Sequence, residues 1–181
     1  RDNAQIASFY PGAMAHAAQL SLRALHDAPP DLVVISPNDP RAMTLYVQEC
    51  QEMDLPYIYD PSQQIVRLAA DELRHGIRRA RALFVNDYEF ALIQKSTGWS
   101  EEEILQENPQ AFIVVTLGKD GARIRSLQEE WQIPVVPPNQ IADPTGVGDA
   151  FRGGFLTGLA HGLDLQTCGQ MGALAATYCL E

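Results

Sequence analysis

Residues 141–155, IADPTGVGDAFRGGF, contain four glycines and two aspartates directly before an apolar helical run. Gly146 and Gly148 leave their backbone N–H groups unobstructed, and the pattern predicts a helix that begins at about Gly148. The first N–H groups of a helix have no internal partners, and the helix dipole adds positive charge there. Such an N-terminus binds phosphate oxygens. Asp149, in the first turn, can then accept a proton from an attacking hydroxyl group.

The same residues have a second interpretation in which the segment does no chemistry. Asp143 can cap a turn, and Asp149 can simply complement the dipole of the following helix. The role of Arg152, which lies three residues after Asp149 on the same helix face, is equally undecided by the sequence. Arg152 can tune Asp149, touch a phosphate, form an exposed pair or remain solvated.

The spacing excludes two common glycine-rich phosphate motifs. A GxGxxG motif needs a third glycine where Phe151 stands. A Walker A motif needs Gly-Lys followed by Ser or Thr, whereas Gly118 and Lys119 are followed by Asp120. The segment is therefore neither a dinucleotide fingerprint nor a P-loop.

Apolar β-rich runs alternate with helical runs along the chain. Asn38 or Asp39 can cap the first helix, where Pro40 suits the first turn, and Ser100 with Glu103 forms a capping-box pattern. The predicted helices are residues 40–53, 70–80, 88–96, 100–107, 148–161 and 165–180. The predicted strands are residues 5–10, 31–36, 56–60, 82–87 and 111–118, with a small antiparallel addition over 121–126 and 131–136. This alternation predicts an α/β fold with helices on both faces of the sheet.

Three acidic or glycine-bearing segments follow predicted strands or precede a helix: residues 85–89, 116–121 and 143–149. In such sheets ligands bind beyond the carboxyl ends of the strands. The three segments together therefore predict a ligand site at that edge better than any one of them does.

Composition limits the classes of partner. The chain has 181 residues, 46% of them hydrophobic, enough for one core, and a net charge of −10. That charge argues against nucleic acid or an anionic membrane as the main partner, and no apolar run approaches the roughly 18 residues of a membrane span. The three cysteines have no metal-binding or disulfide spacing, which indicates buried thiols and a reducing cytoplasm.

Here the residues resemble a known family. DPTGVGDAFRGGF resembles the C-terminal signature of the ribokinase-like, or PfkB, sugar and nucleoside kinases, D-[ST]-x-G-[AC]-G-D. It departs from that pattern at Pro144, which removes one N–H donor, and at Val147, where the family usually has a smaller residue. VNDYE is similar to the family's N-x-x-E motif, and VTLGKDGA to its nucleotide-binding strand and turn. SFYPGAM, SPNDPRAM and YDPSQ resemble the bacterial adenosine-kinase-like branch. The resemblance covers essentially the whole chain.

The resemblance implies a role for each matching residue. Asp149 matches the catalytic base, and Gly146, Val147 and Gly148 match the anion hole for the transferred γ-phosphoryl group. Glu89 matches the acid that supports Mg²⁺ through water. The remaining matches are nucleotide-binding or monovalent-cation positions: Asn86 near the phosphates, Thr116, Gly118 and Gly121 in the ATP-binding strand and turn, and Asp143 with Thr145 at the cation.

The resemblance also implies a fold and an activity. The fold is a three-layer α/β/α sandwich with a mostly parallel sheet. The activity is an ATP- and Mg²⁺-dependent transfer to a hydroxymethyl group, with an adenosine-like ribonucleoside favoured as acceptor. The alternatives are a ribokinase or other sugar kinase, and a non-catalytic nucleotide-binding relative. In some members K⁺ takes part.

Residues 1–181 are expected to form one ribokinase-like domain of a longer protein. Compared with the family pattern, the N-terminal lid and substrate region and the C-terminal end have no counterpart in the sequence. The chain begins with Arg1, and its last residues stop inside a predicted helix. The lid often mediates dimerisation in this family, so a homodimer through that region is a further expectation.

Overall fold

In the part of the chain that the structure describes, the sheet has six strands in sequential order and is mostly parallel. The structure, a computed structural model, describes residues 10–181. β1 to β4 pair in parallel, whereas β5 and β6 add antiparallel to the edge beside β4. The strands are β1 (Val33–Ile35), β2 (Tyr57–Tyr59), β3 (Ala82–Asn86), β4 (Phe112–Thr116), β5 (Ala122–Arg125) and β6 (Glu130–Ile133). The predicted mixed sheet with its small antiparallel addition is confirmed.

Among residues 10–181, six α-helices cover this sheet. Asp39 caps the first of them through the N–H group of Arg41, with Pro40 at the first helical position. Ser100 and Glu103 form the predicted capping box. The helices are α1 (Pro40–Glu52), α2 (Ala70–Arg78), α3 (Asp87–Thr97), α4 (Glu101–Glu107), α5 (Val147–Ala160) and α6 (Leu165–Leu180). Within residues 10–181 none of them combines the length and apolarity needed to cross a membrane.

Separate hydrophobic cores lie on the two faces of the sheet. Successive residues of a strand point to opposite faces, so Leu83 and Val85 of β3 pack into one core and Ala82 and Phe84 into the other. The first core contains the buried residues of α1 to α4. The second contains those of α5 and α6, with Phe84 packed edge-on against Phe155. The three-layer α/β/α prediction is confirmed.

Several predicted boundaries move by one or a few residues. The strand predicted at 111–118 ends at Thr116, because residues Gly118–Asp120 form a tight turn with positive φ at Gly118. The strand predicted at 131–136 ends at Ile133, before a proline that has no N–H to donate. α5 begins at Val147, one residue before the expected start. The strand predicted at 5–10 lies outside the described residues apart from its last position.

Candidate active site

The carboxyl ends of three neighbouring strands and the N-terminus of α5 surround one cavity of about 220 Å³. Asp60 follows β2, Asn86 ends β3 and Thr116 ends β4. Residues 146–149, at the start of α5, form the wall opposite them. The chain thus brings the three predicted segments together at the edge where open α/β sheets bind ligands.

The segment that leads into α5 is held by short local hydrogen bonds. The Asp143 carboxylate accepts from the N–H group of Thr145 (2.8 Å), and the hydrogen bonds to Thr145 lower the pKa of Asp143. Gly146 precedes α5 with φ +80°, and its carbonyl accepts from the N–H group of Ala150 (2.8 Å). Asp143 therefore does cap a turn, which was one of its two interpretations. It does not line the cavity.

Asp149 lies in the first turn of α5 with its carboxylate 77% exposed. Its Oδ1 accepts from the Arg152 guanidinium at 2.6 Å. Its Oδ2 has no hydrogen-bond partner among residues 10–181. This oxygen is free to receive a proton from a ligand hydroxyl in the cavity.

Asn86 and Glu89 form a reciprocal capping box at the start of α3. The Asn86 side chain accepts from the Glu89 N–H group, and the Glu89 carboxylate accepts from the Asn86 N–H group, both at 2.8 Å. The other Glu89 oxygen accepts from the Ser62 hydroxyl at 3.3 Å. The spacing N-x-x-E therefore has a structural role, and it fixes a carboxylate on the cavity wall.

Arg152 contributes the one cation among the described residues of the cavity wall. Its guanidinium lies between Asp149 and Asp60. The Arg152 and Asp60 side chains are only 15% and 13% exposed. Sequence reasoning listed Arg152 with several open roles and missed Asp60. The available signal was an acidic residue immediately after a buried strand, at the edge where ligands bind.

A second cavity, of about 200 Å³, adjoins the first. The two share Thr116, Val147, Gly148 and Phe151. The second cavity adds Gly118 and Gly121, and apolar side chains from β6's following loop and α6 make most of its remaining wall. The second cavity suits a flat apolar group of a ligand, and the first cavity can hold charged groups of the same ligand.

Gly121 has no room for a side chain. Its φ is +89°, and an added Cβ would lie 2.1 Å from the Ile133 carbonyl oxygen. This close approach keeps the turn after β4 tight beside the second cavity.

A third cavity, of about 740 Å³, lies at the opposite edge of the sheet. Two of the three arginines that line it are paired with carboxylates: Arg79 with Asp54 (2.8 Å) and Arg78 with Glu107 (3.1 Å). None of the predicted site residues lines it. We therefore place the candidate site at the carboxyl edge.

The sequence profile of pfkB family carbohydrate kinases matches residues 1–181. The chain belongs to the pfkB family of carbohydrate kinases. The sequence-based resemblance to this family is thereby confirmed.

Similar pfkB proteins include nucleoside kinases. The nucleoside kinase of Methanocaldococcus jannaschii is 29% identical over 185 residues, covering 100% of this chain and 58% of the relative. The solved structure of Burkholderia thailandensis nucleoside kinase in complex with inosine has a TM-score of 0.87 and 35% identity, covering 99% of this chain and 59% of that one. The cytidine kinase of Thermococcus kodakarensis is 34% identical over 114 residues, covering 61% of this chain and 41% of the relative. The chain thus spans somewhat more than half the length of the relatives that match it from end to end.

The predicted pfkB site residues fall into four groups in space. Asn86, Glu89, Gly146 and Asp149 line the first cavity, Gly118 and Gly121 line the second, and Thr116, Val147 and Gly148 line both. Asp143 and Thr145 lie in the segment just before α5. Their assigned roles in binding and catalysis stay predictions.

One prediction about cysteine was wrong. Cys50 and Cys168 are buried, but Cys179 is exposed, with its sulfur 3.5 Å from the Thr145 carbonyl oxygen. The apolar periodicity of α6 did not show that this position lies on the solvent side, next to the segment that leads into α5.

Proposed function

We propose that the protein is an ATP-dependent kinase that transfers the γ-phosphoryl group to a hydroxymethyl group of a nucleoside. The observation that carries this proposal is the position of Asp149. Its unpaired Oδ2 shares one cavity with the N-terminal N–H groups of α5, so a proton acceptor and an anion-binding group lie side by side.

The residues divide the reaction as follows. Asp149 accepts the proton of the acceptor hydroxyl while the oxygen of that hydroxyl forms a bond to the γ-phosphorus. The bond from that phosphorus to the β–γ bridging oxygen breaks, and ADP leaves with the electron pair. The N–H groups of residues 146–148, with the dipole of α5, stabilise the charge on the transferred group.

The charges on the cavity wall fit a requirement for Mg²⁺. Asp60, Glu89 and Asp149 place three carboxylates there against the single guanidinium of Arg152, an arrangement that would repel a triphosphate. When bound, Mg²⁺ would neutralise phosphate charge, and hard oxygen ligands such as the Glu89 carboxylate, acting through water, suit it. For K⁺ we propose Asp143 and Thr145, whose segment adjoins the start of α5.

A nucleoside is the acceptor that we favour. Similar proteins named above are nucleoside kinases, one of them solved with inosine and also as an ADP-inosine complex. An adenosine-like ribonucleoside remains our first candidate because of the branch-like segments. A ribokinase or other sugar kinase is the alternative within the same chemistry. A non-catalytic nucleotide-binding relative is less favoured because Asp149, Gly146 and Gly148 are all present.

We further propose that residues 1–181 act as one ribokinase-like domain within a longer cytoplasmic protein. In this proposal another part of that protein supplies the lid that covers the acceptor and mediates a homodimer. The match to somewhat more than half the length of the relatives supports this proposal. Neither nucleic acid nor a membrane is a proposed partner.

The test is ADP formation by the full-length protein with Mg²⁺ over a panel of adenosine, inosine, cytidine, ribose and fructose 6-phosphate. We expect turnover on a nucleoside, and a loss of about 10²- to 10⁴-fold in kcat for Asp149→Asn. That variant keeps an oxygen for Arg152, so ATP binding is expected to stay near the wild-type value. ATP binding without turnover on any acceptor would favour the non-catalytic alternative.

A further inference from the structure

Arg152 joins two carboxylates from different elements. One of its terminal nitrogens contacts the Asp60 carboxylate, in the segment that follows β2. The other donates to Asp149 Oδ1 at 2.6 Å, within α5. Because β2 and α5 belong to different layers, this bridge connects the segment after a strand of the sheet to the helix that carries the proton acceptor.

The burial of this bridge separates it from an ordinary surface pair. An exposed Arg–Asp pair three residues apart on a helix contributes little and fluctuates. Here the Arg152 side chain is only 15% exposed, and this burial lowers the pKa of Arg152. A buried guanidinium is favourable only when carboxylates surround it. Asp60, itself 13% exposed, is the partner that fixes it.

The exposed fractions of the three side chains indicate which residue holds which. Asp60 and Arg152 are enclosed by protein, whereas Asp149 is 77% exposed and is held at one oxygen only. Asp60 therefore orients Arg152, and Arg152 orients Asp149. With Oδ1 occupied, the carboxylate presents Oδ2 to the cavity.

We propose that Arg152 is a positioning residue for phosphoryl transfer, and that Asp60 anchors it, so that the Asp149 carboxylate stays aimed at the acceptor hydroxyl. The inference rests on the proposed kinase function. Arg152 acts through Asp149, and Asp60 acts through Arg152. Removing Asp60 in a protein that already lacks Arg152 should therefore cost nothing further in turnover.

The experiment measures kcat and KM for the full-length protein with ATP, Mg²⁺ and the preferred acceptor. The variants are Arg152→Gln, Asp60→Asn and the double variant. We expect Arg152→Gln to lower kcat about 10- to 100-fold, with the KM values nearly unchanged. Asp60→Asn should lower kcat less, and the double variant should match Arg152→Gln. Arg79→Gln, which removes an arginine from an Asp pair at the opposite edge of the sheet, is the matched control with wild-type kinetics.

A readout that a merely structural role would not move is chemical rescue. Guanidinium ion should restore part of kcat to Arg152→Ala, whereas methylammonium, which cannot bridge two carboxylates in a plane, should not. If Arg152→Gln leaves a buried Asp60 charge and unfolds, the double variant removes both charges and keeps the kinetic comparison available.

The outcomes separate the two proposals. An active wild type with Arg152→Gln or the double variant within about twofold of its kcat overturns the positioning role alone, because misplacement of a proton acceptor costs far more. Additive losses in the double variant, or no rescue by guanidinium, also overturn it. A wild type that binds ATP but turns over no acceptor overturns the proposed function, and the positioning role with it.

Discussion

The two glycines that flank Val147 have different physical reasons to be there. Gly146 has φ +80°, which is unfavourable for any residue with a Cβ, and it immediately precedes α5. Gly148 has helical geometry and open space where a Cβ would be. Gly146 therefore sets the backbone conformation, and Gly148 keeps the approach to the first N–H groups of α5 clear.

Gly146→Ala should lose both stability and turnover. A left-handed conformation costs an L-residue about 1–2 kcal/mol, and relief of that strain would rotate the N–H groups at the start of α5. We expect a lower unfolding temperature and a kcat reduced by about 10-fold or more, since one displaced donor costs about 10²–10³. Gly153→Ala is the control, because its Cβ meets nothing within 4 Å and alanine is the better helix former. Equal effects in both variants would contradict the argument.

At this scale the sequence predicts local features and misses contacts between distant segments. Gly146, Gly148 and Asp149 belong to one short pattern, so their arrangement follows from helix-terminus geometry. The pairing of Asp60 with Arg152 depends on the strand order and on which face α5 covers. Neither is written in the residues near Asp60, so reasoning from neighbouring residues left Arg152 open and Asp60 unnamed.

At the scale of elements, the start of α3 combines a helix cap with a wall of the cavity. Glu89 accepts the Asn86 N–H group as the last member of a capping box. Ser62, which donates to the other oxygen, has φ +41°, a conformation rare for a residue with a Cβ. One carboxylate thus stabilises a helix end and presents charge to the ligand edge, so its two contributions need separate variants.

Glu89→Gln and Glu89→Ala separate these contributions. Glutamine can still accept a hydrogen bond from the Asn86 N–H group, so the free energy of unfolding of Glu89→Gln should stay near the wild-type value. The free energy of unfolding of Glu89→Ala should fall by roughly 0.3–1.5 kcal/mol. Both variants lack the carboxylate, and both should need several-fold more Mg²⁺ for half-maximal activity. Urea unfolding and Mg²⁺ titration of activity measure the two effects.

The matched control for Glu89 is the second capping box of the same chain. Glu103 accepts from the Ser100 N–H group at the start of α4, and it does not line the first cavity. Glu103→Ala should reduce stability in the same way and leave the Mg²⁺ titration unchanged. An unchanged titration in Glu89→Gln would count against the magnesium role.

Element positions were predictable where the signal lies inside the element. Capping residues predicted the type and approximate bounds of α1 and α4, and apolar runs did the same for β3 and β4. The ends of β4 and β6 were not predictable from apolar runs, because the turn at Gly118 and the following proline end the pairing while the apolar residues continue. Strand ends are therefore decided by backbone geometry that hydrophobicity does not report.

At the scale of the whole molecule, the two faces of the sheet are unequal. The face covered by α1 to α4 encloses Tyr57 and Tyr59, each 1% exposed. Burial raises the pKa of Tyr57 to about 12, and it raises that of Tyr59 further. Burial also raises the pKa of the Cys50 thiol to about 11 in the same core. This core therefore becomes sensitive to alkali.

The sign follows from proton counts. An unfolded tyrosine loses its proton near pH 10, whereas folded Tyr57 keeps it until about pH 12. Between these values the folded state binds more protons, so the free energy of unfolding falls as the pH rises. The full contribution is present below pH 10 and, from the size of the shift, is on the order of 2–3 kcal/mol.

Tyr57→Phe should make the stability curves cross. At pH 8 the variant should be less stable by about 1 kcal/mol, because the hydroxyl donates to the Gly76 carbonyl at 2.9 Å and accepts from Gln51 at 3.0 Å. As the pH rises from 10 towards 12, the Tyr57 phenol loses its proton in the unfolded wild type but not in the folded one, and Tyr57→Phe has no such group. The stability advantage of the wild type should therefore shrink and then reverse. Urea unfolding at intervals from pH 8 to 12 measures this, with Tyr178→Phe, on a 71% exposed side chain, as the control for the loss of one phenol. A difference between wild type and Tyr57→Phe that stays constant with pH would mean that this face of the sheet admits water to Tyr57 before the fold opens.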